Sequence, residues 1–390
     1  MKVLFKNGYV VDAVNEKVEQ KDIYVEDGII RAVGKGLTVP ASARRVDLRG
    51  RYVTPGLFNC HVHITSNPDP RAPRPKNIAE ATIRGINNLQ LHLSSGVTYV
   101  RDVGSADFID LELRDAVADG RLQGPDMQTS GKCICMTGGH GWATGRQADG
   151  PDECRKAARE MLRAGADWVK VMATGGVMTK GVEPGSEQLS IPEMTAIVEE
   201  AHKKNVRVCT HAQGNRGIKN ALAAGIDCIE HGIYMDDEII ETMLKQGSWL
   251  VPTLCAPHFI NKYGLAGGIP EYVVKKNEKV IDTHFASFQK AVKAGVKFAC
   301  GTDAGTPYNP HNGTPWELIL MVKAGLTPFA ALRAATLSSA QLLAVDQSLG
   351  TIEVGKKAHL AVFAKDPTTD IENVLDCRMT IKNGEIVYKK

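Results

Sequence analysis

One junction recurs along this chain and constrains it more than any other feature: a helical, Ala- and Lys-rich segment ends in Gly, and an apolar strand follows at once. It reads as HLSSGVTYVRDVG, MLRAGADWVKVMA, ALAAGIDCIEHG, MLKQGSWLVPTL and AVKAGVKFACGTD, and HKKNVRVCTHA has Asn205 where the glycine otherwise stands. LFNCHVH and DMQTSGKCICMTGG bring these six strands to eight. Continuous apolar strands that alternate with helices indicate a parallel sheet, because parallel strands need helical crossovers. Eight of them predict a (β/α)8 TIM barrel, whose chemistry sits where the strands end. A doubly wound sheet is the alternative, but a GxGxxG after the first strand is missing.

The two ends of the chain have another texture. VLFKNGYVV and DIYVEDGIIRAVG, turned at Asp27-Gly28, read as hairpin strands. GTIEVGKKAHLAVFAKDP and MTIKNGEIVYKK, turned at Asn383-Gly384, repeat that style. Residues 1–54 and 346–390 are therefore expected to form one small β-sandwich domain, with the barrel spanning 55–345.

Composition excludes several classes of function. With 43% hydrophobic and 23% charged residues the chain is too apolar for disorder. A net charge of +3, with Lys and Arg spread evenly, calls for no nucleic acid and no anionic membrane partner. No long apolar run or cleavable leader is evident, so a soluble, cytoplasmic protein is expected, working on a small-molecule or short-peptide substrate as a homo-oligomer. The nine cysteines lie mostly in apolar strand-like runs, and even the CxC pair Cys133 and Cys135 reads as reduced core thiols.

At the end of the first strand stands Cys60-His61-Val62-His63. Side chains alternate along a strand, so the two histidines share a face and make a bidentate grip for a metal. THAQG puts His211 after strand five, IEHG puts His231 after strand six, and GTDAG puts Asp303 after strand eight. Imidazole nitrogen and carboxylate oxygen are the donors a zinc-like ion prefers. His92, His202, His258, His284, His311 and His359 have no such placement and are read as non-ligands. Lys170, in ADWVKVMATGG, is a cation within an apolar strand, where an unpaired ammonium is costly. It either pairs with a buried carboxylate or has been carbamylated by carbon dioxide into a metal-bridging anion.

HxH, Lys, His, His and Asp on strands one, four, five, six and eight resemble the amidohydrolase superfamily over the whole chain. VTPGLFNCHVH, the DVG of Asp102 to Gly104, the GGHG of Gly138 to Gly141, the ATGG after Lys170 and GTIEVGKKAHLAVF belong to the same likeness. Within it the chain is most similar to the imidazolonepropionase-related branch, which contains metal-dependent Xaa-Pro dipeptidases and arginine- or lysine-specific carboxypeptidases. That resemblance implies two divalent metal ions, zinc by expectation. One would be held by His61, His63 and Asp303, the other by His211 and His231, with carbamylated Lys170 bridging. It further implies attack by a metal-activated water on a peptide-like amide, with Asp303 as general base and acid. A non-peptide amide, cyclic amide, urea or lactone is the alternative substrate, and a barrel kept only as an assembly scaffold is a third reading.

Substrate selection is expected from the loops. His140, in the glycine-rich turn, is a candidate donor to a substrate carbonyl or carboxylate. Gln213 and Tyr234, two and three residues beyond ligand positions, are further candidates for substrate binding, and ordinary loop packing accounts for all three equally well. Glu183 and Glu187 resemble the loop of the basic-residue carboxypeptidases, which would make an acidic pocket for a basic side chain.

Overall fold

The structure, a computed structural model, describes residues 1–390. Eight strands from the two ends of the chain build one hydrogen-bonded sheet. They are β1 (Lys2–Asp12), β2 (Lys17–Glu26), β3 (Ile29–Gly34), β4 (Arg44–Asp47) and β5 (Tyr52–Pro55), with β16 (Leu360–Phe363), β17 (Cys377–Lys382) and β18 (Glu385–Lys389). Their order is β18-β17-β16-β5-β1-β2-β3, and β4 pairs with β1. The sheet curls: Ile29, at the start of β3, bridges back to Lys357, just ahead of β16. Inside the curl lie Val3, Phe5, Ile23, Val25, Ile30, Leu360, Val362 and Ile381, all buried.

Between these ends the strands are parallel, and most of the longer ones are nearly or wholly buried on both faces, as crossover helices require. β6 (Leu57–Val62), β7 (Val97–Asp102) and β8 (Asp126–Thr129) form one run. β9 (Ile134–Cys135), β10 (Arg146–Gln147), β11 (Trp168–Met172), β12 (Arg207–Ala212), β13 (Cys228–His231), β14 (Trp249–Val251) and β15 (Lys297–Phe298) form a second, in the order β10-β9-β11-β12-β13-β14-β15. Backbone hydrogen bonds join the two runs at both sides. Cys60 N donates to Cys300 O at 2.7 Å and Asp303 N to His61 O at 2.9 Å, while Asp167 N reaches Thr129 O at 2.9 Å.

The helices are α1 (Ile78–Ser94), α2 (Ile109–Ala118), α3 (Gly150–Ala164), α4 (Ile191–His202), α5 (Asn215–Ala223), α6 (Asp237–Gln246), α7 (Cys255–Tyr263), α8 (Glu271–Ala294), α9 (Thr314–Lys323), α10 (Pro328–Arg333) and α11 (Ser339–Leu342). None is long and apolar enough to cross a membrane. The recurrent junction has a backbone cause. Gly165 ends α3 at φ 91°, and Asn205 follows α4 at φ 56°, both in the left-handed region that glycine and, among the other residues, asparagine enter most readily. The turn leads straight into the next buried strand, so each strand end is carried to the same side of the sheet.

Candidate metal centre

At that side His61 of β6, His63 just after it, Lys170 of β11, His211 of β12, His231 of β13 and Asp303 after β15 line one cavity of about 240 Å³, together with His140. The register explains their approach. Met172 pairs with His211, and Ala212 with His231, so Lys170 stands two residues before the level of His211 and His231 one residue beyond it, all toward the same strand ends. His61 Nε2 and His63 Nε2 each lie 3.3 Å from Asp303 Oδ1. The His211 and His231 rings are 4.5 Å apart, and the His61 and His231 rings 5.1 Å.

The outer nitrogens of the four imidazoles show what the inner ones can do. His63 Nδ1 lies 2.9 Å from Gly104 O and His211 Nε2 3.3 Å from Gly175 O, and a carbonyl can only accept. His61 Nδ1 lies 2.7 Å from the Glu230 carboxylate. His231 Nδ1 is 2.6 Å from Thr253 Oγ1, whose own proton goes to Pro252 O. Each ring thus commits its N–H outward and leaves one lone pair for the cavity. Around Asp303 two such lone pairs and a carboxylate oxygen converge within 4.8 Å, an array of acceptors that a cation satisfies.

Electrostatics agree with that geometry. Burial alone would raise the pKa of Asp303, but His61 and His63, when protonated, outweigh it and hold the carboxyl well below the usual range. Burial, with neighbouring cationic groups, keeps His211 and His231 well below the ordinary imidazole value, so both are neutral donors. Lys170 is 1% exposed. The buried carboxylate that could have paired with it, Glu230, is taken by Arg101 at 2.7 Å and His61 at 2.7 Å, and Lys170 forms no ion pair. The donor set of His61, His63 and Asp303 therefore fits a cation, and the Lys170 amine is left without a carboxylate partner.

Of the residues expected to meet substrate, two line the cavity. His140 packs 4.3 Å from the His211 ring, with Nδ1 2.9 Å from Thr179 Oγ1. Burial lowers its pKa to about 4. Gln213 is buried there with Oε1 unpartnered. Tyr234 is not among the lining residues: its half-buried ring packs on the apolar cluster of Val177, Ile233, Ile260 and Val280, and its hydroxyl donates to Lys279 O at 3.3 Å on α8. Glu183 and Glu187 also lie outside the cavity, Glu187 paired with Arg216 at 3.0 Å and Glu183 exposed near Lys279. The histidines read as non-ligands are held elsewhere, for example His92 against His311 at 3.2 Å. His284 does reach the cavity wall, but its Nε2 is 3.0 Å from His231 O.

Sequence reasoning missed Glu230 and Arg101, both fully buried. Glu230 links Arg101 to His61, and burial, which would raise its pKa, is overcome by Arg101 and His61. The signal was present in DCIEHG and VTYVRDVG, where a charge interrupts an apolar strand as Lys170 does.

A parallel α/β fold that collects histidines, a lysine and an aspartate at its strand ends is that of a hydrolytic enzyme. The chain belongs to the amidohydrolase family, whose sequence profile matches residues 52–387. It is 30% identical to the ochratoxinase of Aspergillus niger, over 94% of this chain and 82% of that protein. Among solved structures it is similar to a Xaa-Pro dipeptidase with methionine bound in its active site, with a TM-score of 0.92 and 32% identity over 100% of both chains. A prolidase complexed with N-methylphosphonate-L-proline gives a TM-score of 0.92 and 30% identity, again over 100% of both chains.

Proposed function

We propose that this chain is a metal-dependent hydrolase of a peptide-like amide bond, releasing an amino acid with an apolar side chain. The observation that carries the reading is the convergence of His61, His63 and Asp303, whose ligand atoms lie within 4.8 Å of one another. In this reading His61, His63 and Asp303 hold one divalent ion, zinc by preference, and His211 and His231 a second. Lys170, if carbamylated, would add an anionic oxygen ligand to this set. Such ions, when bound, acidify water and polarise a carbonyl.

The chain's own residues do the rest. Asp303, held ionised, accepts a proton from the water as its oxygen bonds to the carbonyl carbon, and returns it to the nitrogen as the C–N bond breaks. His140, neutral beside His211, is positioned to donate a hydrogen bond to the substrate. Val177, Ile233, Ile260 and Val280 make the wall apolar, which favours an apolar leaving group over the basic one considered from Glu183 and Glu187. The similarity to a Xaa-Pro dipeptidase and to ochratoxinase supports amide chemistry at this site.

The same reading closes the two parallel runs into one (β/α)8 barrel over 55–345, supported by the Cys60–Cys300 and Thr129–Asp167 backbone bonds, and makes the curled sheet a small β-sandwich of 1–54 and 346–390. Nine buried free cysteines suit a reducing, cytoplasmic setting.

The test is a panel of dipeptides and N-acyl amino acids given to zinc-loaded protein, scored by amino acid release. Release of Pro, Met or Phe with little release of Arg or Lys is expected. Hydrolysis confined to cyclic amides, ureas or lactones would overturn the proposal.

A further inference from the structure

A recess of about 820 Å³ opens at the other ends of the strands, away from the metal centre. Arg207 at the start of β12, Trp249 at the start of β14, Lys297 at the start of β15 and Arg333 at the end of α10 line it. Parallel strands start on one side and finish on the other, so this recess is distinct from the cavity that holds Asp303. Its size is that of clefts that take small molecules. Val292, Val296, Phe298 and Leu326 make its wall apolar, and no aspartate or glutamate lines it.

The three cations have few partners of their own. Arg207 Nη1 donates to Leu342 O at 2.6 Å, the Lys297 ammonium lies 5.8 Å from the centre of the Trp249 ring, and none of the three forms an ion pair. Elsewhere the chain does pair such groups: at the cavity lined by Tyr99, Arg114 meets Asp167 at 2.8 Å and Lys382 meets Asp126 at 2.6 Å. Charges of one sign in a recess with apolar walls focus their field into it and concentrate counter-ions there. Backbone register ties the apolar surface to the charge, since Trp249 and Lys297 are paired across β14 and β15. The wall also includes Ser338, at the end of a π-helical turn over Ala334–Ser338, and such turns recur at functional sites.

We infer that this recess is a binding site for a small organic anion, whose apolar body lies against Trp249 and whose carboxylate or phosphate is held by Lys297, with Arg207 and Arg333 adding to the field. The Lys297 stem is exposed and flexible, so its ammonium can move from the indole face to the anion. A neutral apolar molecule would leave the cations unanswered, and a bare inorganic anion would leave the indole and its wall in water. The site stands independently of the amide-hydrolase reading.

Zinc-loaded protein is titrated calorimetrically with benzoate, phenyl phosphate and adenosine 5′-monophosphate. Inorganic phosphate and benzyl alcohol are the controls that carry only the charge or only the ring. At least one aromatic anion is expected to bind with a Kd below about 1 mM, and at least about ten-fold more tightly than either control. A preference for benzoate or phenyl phosphate identifies a simple aromatic anion, and a preference for the nucleotide a nucleoside phosphate; both carry the inference. Lys297→Glu combined with Arg333→Glu, at two exposed positions, should weaken the binding by about ten-fold or more with the circular dichroism unchanged. No binding up to about 10 mM, a control that binds as tightly, or an affinity that the double substitution leaves unchanged overturns the inference. Should the double variant fail to fold, wild-type crystals soaked in the tightest anion decide. Density against Trp249 and Lys297 supports the site, and density elsewhere alone, or none, overturns it.

Discussion

Asp303 has a left-handed backbone at φ 61°, and His231, at φ 74°, and Thr253, at φ 53°, do the same at neighbouring strand ends. Non-glycine residues in that region cost of order 1–3 kcal/mol each, a cost borne here where each side chain is turned into the cluster of imidazoles. Asp303→Asn preserves shape and removes the proton acceptor. It should lower kcat by roughly 10²–10⁴-fold with the circular dichroism unchanged, and near-normal turnover would refute the role. Glu230→Gln tests the buried link behind His61. Arg101, fully buried and 4.5 Å over the Trp168 ring, would lose its only carboxylate. Unfolding in urea should show a loss of about 3–5 kcal/mol, and a loss below about 1 kcal/mol would mean that the charge is satisfied elsewhere. The pair His61 and His63 was legible because strand alternation alone turns both to one side. Glu230 and Arg101 were not read because each sits inside a strand that already ended in a recognisable residue. Tyr234 could not be placed from sequence, since distance along the chain from a ligand says nothing about direction once the backbone turns at His231 and Gly232, both at positive φ.

Among the elements, α8 does more than cover the strands. Lys276 Nζ donates to Thr179 O at 2.8 Å and also to Val182 O, and Tyr272 Oη donates to Met178 O at 3.2 Å. The helix thereby clasps the long loop after β11, and that loop in turn supplies Val177 to the cavity and Thr179 Oγ1 to His140. Lys276 is 6% exposed and has no carboxylate partner, so loop carbonyls alone satisfy its ammonium. Lys276→Met should release the loop. Proteolysis between Met178 and Glu187 should accelerate and kcat/KM fall by about ten-fold, since a small misplacement of a positioning group is enough for that. Unchanged cleavage and rate would show that the loop holds itself. The helix-to-strand junctions were readable from sequence because their turn chemistry is local. The third strand segment was less so: it divides into β8 and β9, and β15 keeps only Lys297–Phe298 in regular pairing, because pairing across the sheet, not local composition, decides where a strand stops.

For the whole molecule, the curled sheet of the termini and the parallel strands share one core. Ala361, Phe363 and Cys377 belong to the same buried cluster as Leu57, Val97 and Val100, and Thr380 Oγ1 donates to Leu93 O at 2.6 Å. That the two termini meet was visible from their matching hairpins, but the seam was not, since its contacts join residues far apart in sequence. His359 lies on it, 4% exposed, with Nε2 3.1 Å from Asn383 Oδ1 and 3.9 Å from Asp126 Oδ2. Burial, only partly offset by Asp126, lowers its pKa to about 4, against about 6.5 in an unfolded chain. The folded protein therefore binds fewer protons here than the unfolded one. The neutral imidazole's contribution is fully present above pH 6.5 and is lost as pH falls through about 4, for a total of about 3 kcal/mol. His311, with a pKa also lowered to about 4 by burial, adds to the same acid sensitivity. Denaturation midpoints of the wild type should fall between pH 7 and pH 4.5, and His359→Gln should flatten that slope by up to one proton while leaving the active-site residues untouched. Identical slopes for the two proteins would show that the seam tolerates a charged His359 and that acid acts elsewhere.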